Sequence, residues 1–290
     1  MSAQFEIIAK AVNMTGESPS WSVTEQSLYW VDITDKKVYR WHEKTGVQQW
    51  DTPQMAACLM QHVDVDWLLF QEDQIAKLDF DQEQLQIELQ QKIQHPYPNL
   101  RFNDGCVDRQ GRAWIGSMHR QNNGSLLGTL YCAENNKLQP RIEGLATPNG
   151  LAFSPDGRTL YLSDSHPTIQ KIWAFDCDIE NGQLSNRRIF LDMQHYAGRP
   201  DGATVDSDGC YWICAIDSGC VLRFSPQGEL LNQYQLPISK PSKCTFGGTD
   251  LRTLFVTSLK PEHPNELDGS VFAIQTPYQG LPEEQVKSLI

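Results

Sequence analysis

Four short stretches of the sequence place oxygen-bearing side chains beside a glycine or a proline. They are TGESPSW with Glu17, RFNDG with Asn103 and Asp104, TPNG with Asn149, and GRPDG with Asp201. Glu17, Asn149 and Asp201 offer two carboxylates and one amide oxygen, a set suited to a divalent cation with water in its remaining positions. Because the set contains no His or Cys, a structural zinc site is disfavoured. Taken singly, each stretch could be an ordinary turn, so the chemistry depends on their meeting in space.

A repeated pattern of strands and turns could bring them together. A short apolar strand, a polar turn and a second strand recur six times, as SLYWVDITDKKVYRWH, DWLLFQEDQIAKLDF, GRAWIGSMH with GTLYCAE, RTLYLSDSHPTIQKIWAFD, GCYWICAIDSGCVLRFS, and RTLFVTSLK with GSVFAIQ. The leading strands recur at about 40 to 50 residues, the range of propeller repeats. The sequence therefore predicts one all-β domain over residues 1–290, a six-bladed β-propeller with four antiparallel strands per blade.

Several local features agree with this fold. FEIIAKAV, at the N-terminus, is predicted to pair into the last blade so that no sheet edge stays open. NGLAFSPDGRTLYLSDS is predicted to form an antiparallel hairpin, and the Asp-Gly pairs at 156–157 and 208–209 are assigned to hairpin turns. DQEQLQIELQQKI has a helix-like content of Gln and Glu, but its apolar residues alternate with polar ones, which favours a strand.

The propeller makes a common site geometrically reasonable. Loops at one end of the central channel converge, so residues far apart in sequence meet if they occupy equivalent positions. Glu17, Asn103, Asn149 and Asp201 are each predicted to lie just before the inner strand of a blade. We therefore expect them to point at one place.

Composition narrows the classes of partner. The 290 residues contain 24 Lys and Arg against 36 Asp and Glu, a net charge of −12, which disfavours nucleic acids and anionic membranes. No secretory signal and no apolar stretch of about 18 residues is present, so a cytoplasmic protein without a membrane partner is expected. The eight cysteines are scattered without a C-x-x-C pair, so reduced, buried thiols are expected. The oligomeric state is left open.

Long segments also resemble a known family. GESPSW with LYWVDI, RFNDG followed by DRQGRAWIGSM, TPNGLAFSPDGRTLYLSDS, QLSNRR, and RPDGATVD with GCYWICAIDSGCVLRFSP are similar to the family of senescence marker protein (regucalcin), gluconolactonase and luciferin-regenerating enzyme. The resemblance runs in the same order over nearly the whole chain. It implies a six-bladed propeller that holds one divalent metal in its channel and commonly hydrolyses sugar lactones.

Carried over by position, the resemblance implies roles for individual residues. Glu17, Asn149 and Asp201 would be the metal ligands, whereas Arg101 and Asn103 would contact the substrate. The glutamate that follows GTMAE in regucalcin corresponds to Gln121 here, after GSMHRQ, and this departure bears on sugar specificity.

Two further residues come from their positions near strand ends. His119 is a candidate for a specificity contact, because it follows Met118 at the end of a blade strand. Asp164 is a blade-turn residue on local grounds, but the resemblance suggests that it lies near the metal pocket.

The function implied is hydrolysis of an aldonolactone of the glucono-, galactono-, arabino- or xylonolactone type, with a small sugar lactone as the partner. Calcium is the first choice of cation, and zinc, magnesium, manganese and ferrous iron are the alternatives. Asp201 would be both a ligand and the base that accepts a proton from water, or the cation would acidify the water itself. Three other functions stay open: a calcium-binding regulatory protein of the regucalcin type without turnover, a scaffold whose channel is idle, and an esterase or phosphotriesterase of the paraoxonase kind. The polar Arg101 and Asn103 are a poor match to the apolar substrates of the last.

Overall fold

The chain folds into six four-stranded antiparallel sheets arranged as a six-bladed β-propeller, as predicted. The structure is a computed structural model that describes residues 5–81 and 84–289. Each of the first five blades is a simple meander, in which consecutive strands pair from the central channel outward.

The strands follow one another in a regular order, and blade 6 combines both ends of the chain. Blade 1 contains β2 (Gly16–Ser22), β3 (Ser27–Asp32), β4 (Lys37–His42) and β5 (Gly46–Asp51). Blade 2 contains β6 (Ala56–Gln61), β7 (Trp67–Gln71), β8 (Gln74–Asp81) and β9 (Gln84–Lys92). Blade 3 contains β10 (Leu100–Val107), β11 (Ala113–His119), β12 (Gly128–Glu134) and β13 (Lys137–Leu145). Blade 4 contains β14 (Pro148–Phe153), β15 (Thr159–Asp164), β16 (Lys171–Cys177) and β17 (Leu184–Asp192), which is followed by a 3-10 turn (Met193–His195). Blade 5 contains β18 (Arg199–Val205), β19 (Tyr211–Ile216), β20 (Cys220–Phe224) and β21 (Leu230–Gln235). Blade 6 contains β22 (Pro241–Gly247), β23 (Thr253–Ser258), β24 (Val271–Gln275) and β1 (Phe5–Ala9).

The N-terminal strand closes the ring. Strand β1 pairs antiparallel with β24, with Phe5 opposite Ile274 and Ile7 opposite Phe272. This pairing covers the backbone edge that β24 would otherwise expose, which confirms the predicted closure.

Two other local predictions are confirmed. Strands β14 and β15 form the predicted hairpin, and Gly157 in its turn has the positive φ of +71° that glycine adopts most readily. The segment whose content resembled a helix is strand β9, in which half-buried and exposed residues largely alternate. This segment forms a strand because one face of the outer strand packs on the blade while the other faces solvent.

The core lies between blades and is rich in aromatic rings. Trp30, Trp67, Trp114 and Trp212 are essentially inaccessible to solvent. The indole N–H of Trp114 donates to Asp108 at 3.0 Å, and that of Trp212 donates to Asp206 at 2.9 Å. These contacts give the indoles of Trp114 and Trp212 a partner for their polar atom, so these two large rings are buried without an unpaired donor.

The C-terminal segment, residues 280–289, crosses the end of the channel opposite the starts of the inner strands. Gly280 bridges to Asp206, and Val286 bridges to His62. Residues 281–284 line an internal cavity of about 70 Å³ at this end of the channel. Val286 is fully buried, so the segment is part of the core and closes this end.

Two predictions about the whole chain concern thiols and membranes. All eight cysteines lie in the described part of the chain, and each is free, as expected. Within residues 5–81 and 84–289, the structure contains no helix with the length and apolarity needed to cross a membrane.

Candidate functional site

The predicted site residues lie on inner strands of four blades, near the channel end at which these strands begin. Glu17 is on β2, Asn103 on β10, Asn149 on β14 and Asp201 on β18, and all four are buried. The prediction that they precede the inner strands is therefore wrong by a few residues. These residues lie where the pairing between the inner strand and the second strand is irregular, and not in a turn that precedes the strand.

Each inner strand leaves the regular ladder at this point. The pairing with the second strand shifts by one residue between Glu17 and Ser20, between Asn149 and Ala152, and just around Asp201. A bulge of this kind bends the strand and redirects a side chain. The Gly and Pro residues that resembled turn signals thus mark bulges, which leave the strand continuous while changing its direction.

Asn149 and Asp201 are in direct contact. The Asn149 side-chain amide donates a hydrogen bond to Asp201 Oδ1, and Asn149 Oδ1 accepts one from the backbone N–H of Gly150 at 3.1 Å. Gly150 has a φ of +59°, and a Cβ on it would lie 2.7 Å from the hydroxyl oxygen of Tyr211. A glycine is therefore required next to Asn149 for both conformational and steric reasons.

The two carboxylates destabilise each other's charged form. Burial raises the pKa of Asp201 well above its usual value, and the charges of Glu17 and Asp104 raise this pKa further. Burial, followed by the charge of Asp104, raises the pKa of Glu17 to about 7, although Lys243 opposes this effect. Desolvated acids that repel each other are an environment that a bound cation would stabilise. The donor set therefore fits a divalent cation.

The third oxygen of this set comes from an amide. Within the described ranges, no group of three or more His, Cys, Asp or Glu side chains is arranged to hold a metal ion. Glu17 and Asp201 with Asn149 make a set of two carboxylates and one neutral oxygen. This set suits hard cations such as calcium, magnesium or manganese better than soft ones.

A buried ion pair lies beside these carboxylates, and the sequence did not predict it. Lys243 Nζ, on β22, donates to Asp104 Oδ1 at 2.5 Å and to the carbonyl of Gly105 at 2.9 Å. Asp104 Oδ2 also accepts the backbone N–H of Leu151 at 3.1 Å. A Cβ on Gly202 would lie 2.4 Å from the Lys243 side chain, so this glycine leaves room for the lysine.

A sequence signal for Lys243 existed. The stretch KPSKC begins inner strand β22 as TPNG and RPDG begin β14 and β18, with a proline as the first or second residue of the strand. This pattern indicates β22 as a further contributor to the site, but Ser242 occupies the position of Asn149 and Asp201. Lys243 follows it, at the position of Gly150 and Gly202.

Arg101 and Asn103 are coupled on β10. Arg101 Nη1 donates to Asn103 Oδ1 at 2.9 Å and to the Phe102 carbonyl at 2.7 Å, and Asn103 Nδ2 donates to the Pro148 carbonyl at 3.1 Å. Burial lowers the pKa of Arg101 to about 10, while the charge of Glu17 raises it. Arg101 forms no ion pair within the described part of the chain, so its guanidinium has donors available for a ligand.

His119 and Gln121 lie farther out, at the end of the β10–β11 pair. His119 is opposite Leu100, and the backbone N–H of Gln121 donates to His119 Nδ1 at 3.3 Å. Gln121 is exposed. The loop that follows reaches blade 4, because Thr147 Oγ1 donates to Asn122 Oδ1 at 2.5 Å. These two residues therefore border the mouth of the channel, and their contact with a substrate stays a prediction.

Asp164 has a structural environment. Its carboxylate accepts the backbone N–H groups of Ala146 at 2.8 Å, Thr147 at 3.0 Å and His166 at 3.1 Å. Asp32 has the same role in blade 1, where it accepts the N–H groups of Met14 and Thr15. The structure thus supports the local interpretation of Asp164 as a residue that fixes the loops of its blade.

The sequence profile described as the SMP-30/Gluconolactonase/LRE-like region matches residues 15–260. The chain belongs to this family. The predicted resemblance is therefore confirmed.

Relatives match this member of the SMP-30/Gluconolactonase/LRE-like family over most of their length. The 6-deoxy-6-sulfogluconolactonase of Pseudomonas putida is 34% identical over 296 residues, covering 98% of each chain. Regucalcin of Danio rerio is 33% identical over 263 residues, covering 89% of this chain and 87% of the relative. The solved structure of a luciferin-regenerating enzyme superposes with a TM-score of 0.91 at 25% identity, covering 99% of this chain and 100% of the other.

Proposed function

We propose that this protein hydrolyses a sugar lactone of the aldonolactone class to the corresponding acid, with a divalent cation held by Glu17, Asn149 and Asp201. The observation that carries the proposal is the pair of buried, mutually repelling carboxylates at one end of the channel, with an amide oxygen beside them. Membership of a family that includes gluconolactonase supports the reaction type, as does similarity to a protein named 6-deoxy-6-sulfogluconolactonase.

The residues of the site suit ester hydrolysis in a ring. When bound, a divalent cation would stabilise negative charge on the lactone carbonyl oxygen. Asp201, kept ionised by the cation, would accept a proton from the attacking water. As the bond between the carbonyl carbon and the ring oxygen breaks, that proton would return to the ring oxygen, giving the hydroxy acid. Arg101 and Asn103 would hold the sugar hydroxyls.

The test is a panel of glucono-, galactono-, arabino- and xylonolactone, with acid release followed by pH-stat and the spontaneous rate subtracted. We expect hydrolysis of at least one lactone, loss of activity with chelator, and recovery on adding calcium, magnesium or manganese. Asp201→Asn is expected to lower kcat by about 100-fold or more, because general-base catalysis contributes about 10²–10⁴-fold. Asp208→Asn is the matched control, since this exposed carboxylate lies in a hairpin turn and pairs with Arg223 at 3.2 Å.

The regulatory alternative predicts a different outcome. A calcium-binding protein without turnover would show calorimetric binding of calcium, lost in Asp201→Asn, and no hydrolysis of any lactone above the spontaneous rate. Equal hydrolysis with and without chelator would contradict the cation's role and leave the lactonase activity standing.

A further inference from the structure

The loops around the site have an unusual charge. Strands alternate in direction, so the loops that lead into each inner strand lie at the same end as the loops that leave each second strand. Over blades 3 and 4, the segments at this end contain no Asp or Glu. These acid-free segments, which we call the basic rim, are residues 93–101, 119–127, 146–149, 165–170 and 193–200.

The basic rim concentrates positive and titratable nitrogen groups. It contains three arginines and four of the seven histidines of the chain. They are Arg101, Arg120, Arg199, His95, His119, His166 and His195. Arg120 pairs with Glu72 and Arg199 pairs with Asp217, two carboxylates outside these segments, whereas Arg101 has no ion pair among the described residues.

The opposite end of the same blades shows that loops in general are not poor in acids. Except for residues 135–136, two asparagines that join β12 to β13, the connections there each carry at least one carboxylate. Those of blades 3, 4 and 5 are residues 108–112, 154–158, 178–183, 206–210 and 225–229. Five of the six connections of blades 3, 4 and 5 at the opposite end thus carry a carboxylate, whereas the loops of blades 3 and 4 at the site end carry none.

The guanidinium groups of Arg101 and Arg120 place positive charge close to the site. The backbone N–H of Arg120 donates to the Asn99 carbonyl at 2.9 Å, which places Arg120 across from the start of β10, close to Arg101. Arg120 pairs with Glu72 at 2.5 Å at the edge of the rim, and its side chain is 41% exposed. Burial and the charge of Arg120 both lower the pKa of Arg101, as expected for neighbouring cations. Arg101 itself lacks an ion pair among the described residues.

The loop after Arg120 connects blades 3 and 4. It contacts Thr147 through Asn122, and Gly124 packs against His166, since a Cβ on this glycine would lie 2.8 Å from the imidazole. An open groove of about 970 Å³ runs beside this region, lined by residues 92–100, which include Lys92, by Arg120 and by one carboxylate, Asp73. Leu100, the residue before Arg101, lines this groove, so a group bound there beside Arg120 would lie at the start of β10.

We propose that the basic rim binds an anionic group of the substrate, a sulfonate, phosphate or carboxylate that the sugar lactone carries away from its ring carbonyl. The inference rests on the proposed lactonase activity and names its substrate class. Charge-assisted hydrogen bonds from guanidinium groups are the strongest contacts that this surface offers, and they favour such anions.

The first test compares lactones that differ at one end. Gluconolactone is compared with derivatives that carry a terminal sulfonate, phosphate or carboxylate at C6. We expect kcat/KM to be about tenfold or more higher for at least one anionic lactone, and to fall with rising ionic strength for that lactone only. The derivative with the highest kcat/KM identifies which anion the rim prefers. Equal or faster hydrolysis of the neutral lactone would overturn the inference and leave the lactonase proposal intact.

The second test changes the rim. Arg120→Gln is expected to lower kcat/KM for the anionic lactone by about tenfold, with less than about a twofold change for the neutral one. Arg188→Gln is the matched control, because Arg188 is also an exposed arginine, 42% accessible, in an ion pair with one carboxylate, Asp176, on the outer part of blade 4. Equal losses in both variants, or equal losses for both lactones, would count against the rim.

A binding measurement separates this inference from the reaction. Calorimetry with 1,5-anhydroglucitol 6-phosphate and with 1,5-anhydroglucitol needs no lactone and no turnover. Tighter binding of the phosphate compound, weakened in Arg120→Gln, supports the anion site even if every lactone resists hydrolysis. Binding without preference for the phosphate compound would refute the anion site whatever the lactonase assays give.

Discussion

Removing Lys243 should destabilise the protein far more than removing a lysine from a partly exposed ion pair. Lys243 and Asp104 form an ion pair at 2.5 Å, with side chains only 9% and 3% exposed. Lys243→Met leaves Asp104 buried without its cation, close to Glu17 and Asp201. Breaking a buried pair from one side costs about 3–5 kcal/mol. With an unfolding entropy of about 2.1 cal/mol/K per residue, this corresponds to a fall in Tm of roughly 5–8 °C.

The assay is thermal and urea unfolding followed by tryptophan fluorescence in the presence of chelator. Lys240→Met is the control, because Lys240 is also paired with a carboxylate, Asp217, whose side chain is 41% exposed. An exposed pair contributes about 0–1 kcal/mol, so the control should change Tm little. The double variant Asp104→Asn with Lys243→Met should recover much of the loss, since it leaves no unpaired charge.

The same variant should respond more to a divalent cation. Without Lys243, three carboxylates face the channel, so added calcium should raise Tm by more in Lys243→Met than in the unmodified protein. The reasoning would be refuted if Lys243→Met were no less stable than Lys240→Met. It would also be refuted if the double variant showed the sum of the two single losses.

Three further changes test the fold and the site. Deleting residues 1–9 exposes the edge of β24 and should cause concentration-dependent aggregation, measured by light scattering. A monodisperse and equally stable product would contradict the role of β1 in closing the ring. Deleting residues 281–290 exposes the apolar surface on which the fully buried Val286 packs, and it should lower the unfolding free energy by about 2 kcal/mol or more. An unchanged urea midpoint would show that this segment is not part of the core. Gly150→Ala, at φ +59°, should lower the free energy of unfolding by about 1 kcal/mol or more and weaken calcium binding, because Asn149 is displaced. Unchanged calcium affinity in calorimetry would show that the backbone at residue 150 does not control the site.

Much of the fold could be predicted because its signals are local. The repeat of strand and turn sets each hairpin, and the alternation of apolar and polar residues in 84–92 decides strand over helix. The N-terminal strand could also be placed, since a propeller needs an outer strand to close the ring. In these cases, residues near in sequence contain the information, because strand period and turn geometry depend on neighbours.

The candidate site was predictable only in part. Glu17, Asn149 and Asp201 could be predicted as one oxygen set, and the structure places all three on inner strands, with Asn149 hydrogen-bonded to Asp201. It did not reveal that these positions are bulges rather than turns, since Gly and Pro serve in both.

What the sequence alone determined is the strand pattern, the number of repeats and the types of side chain that the channel would collect. Only the tertiary structure decided which charges face one another. Lys243 and Asp104 are 139 residues apart, and they meet because closure of the ring brings blades 3 and 6 to a common channel. The C-terminal segment likewise finds its place only after the blades have formed the surface on which Val286 is buried. Such contacts depend on the geometry of the whole ring, whereas the strand pattern depends on short-range sequence.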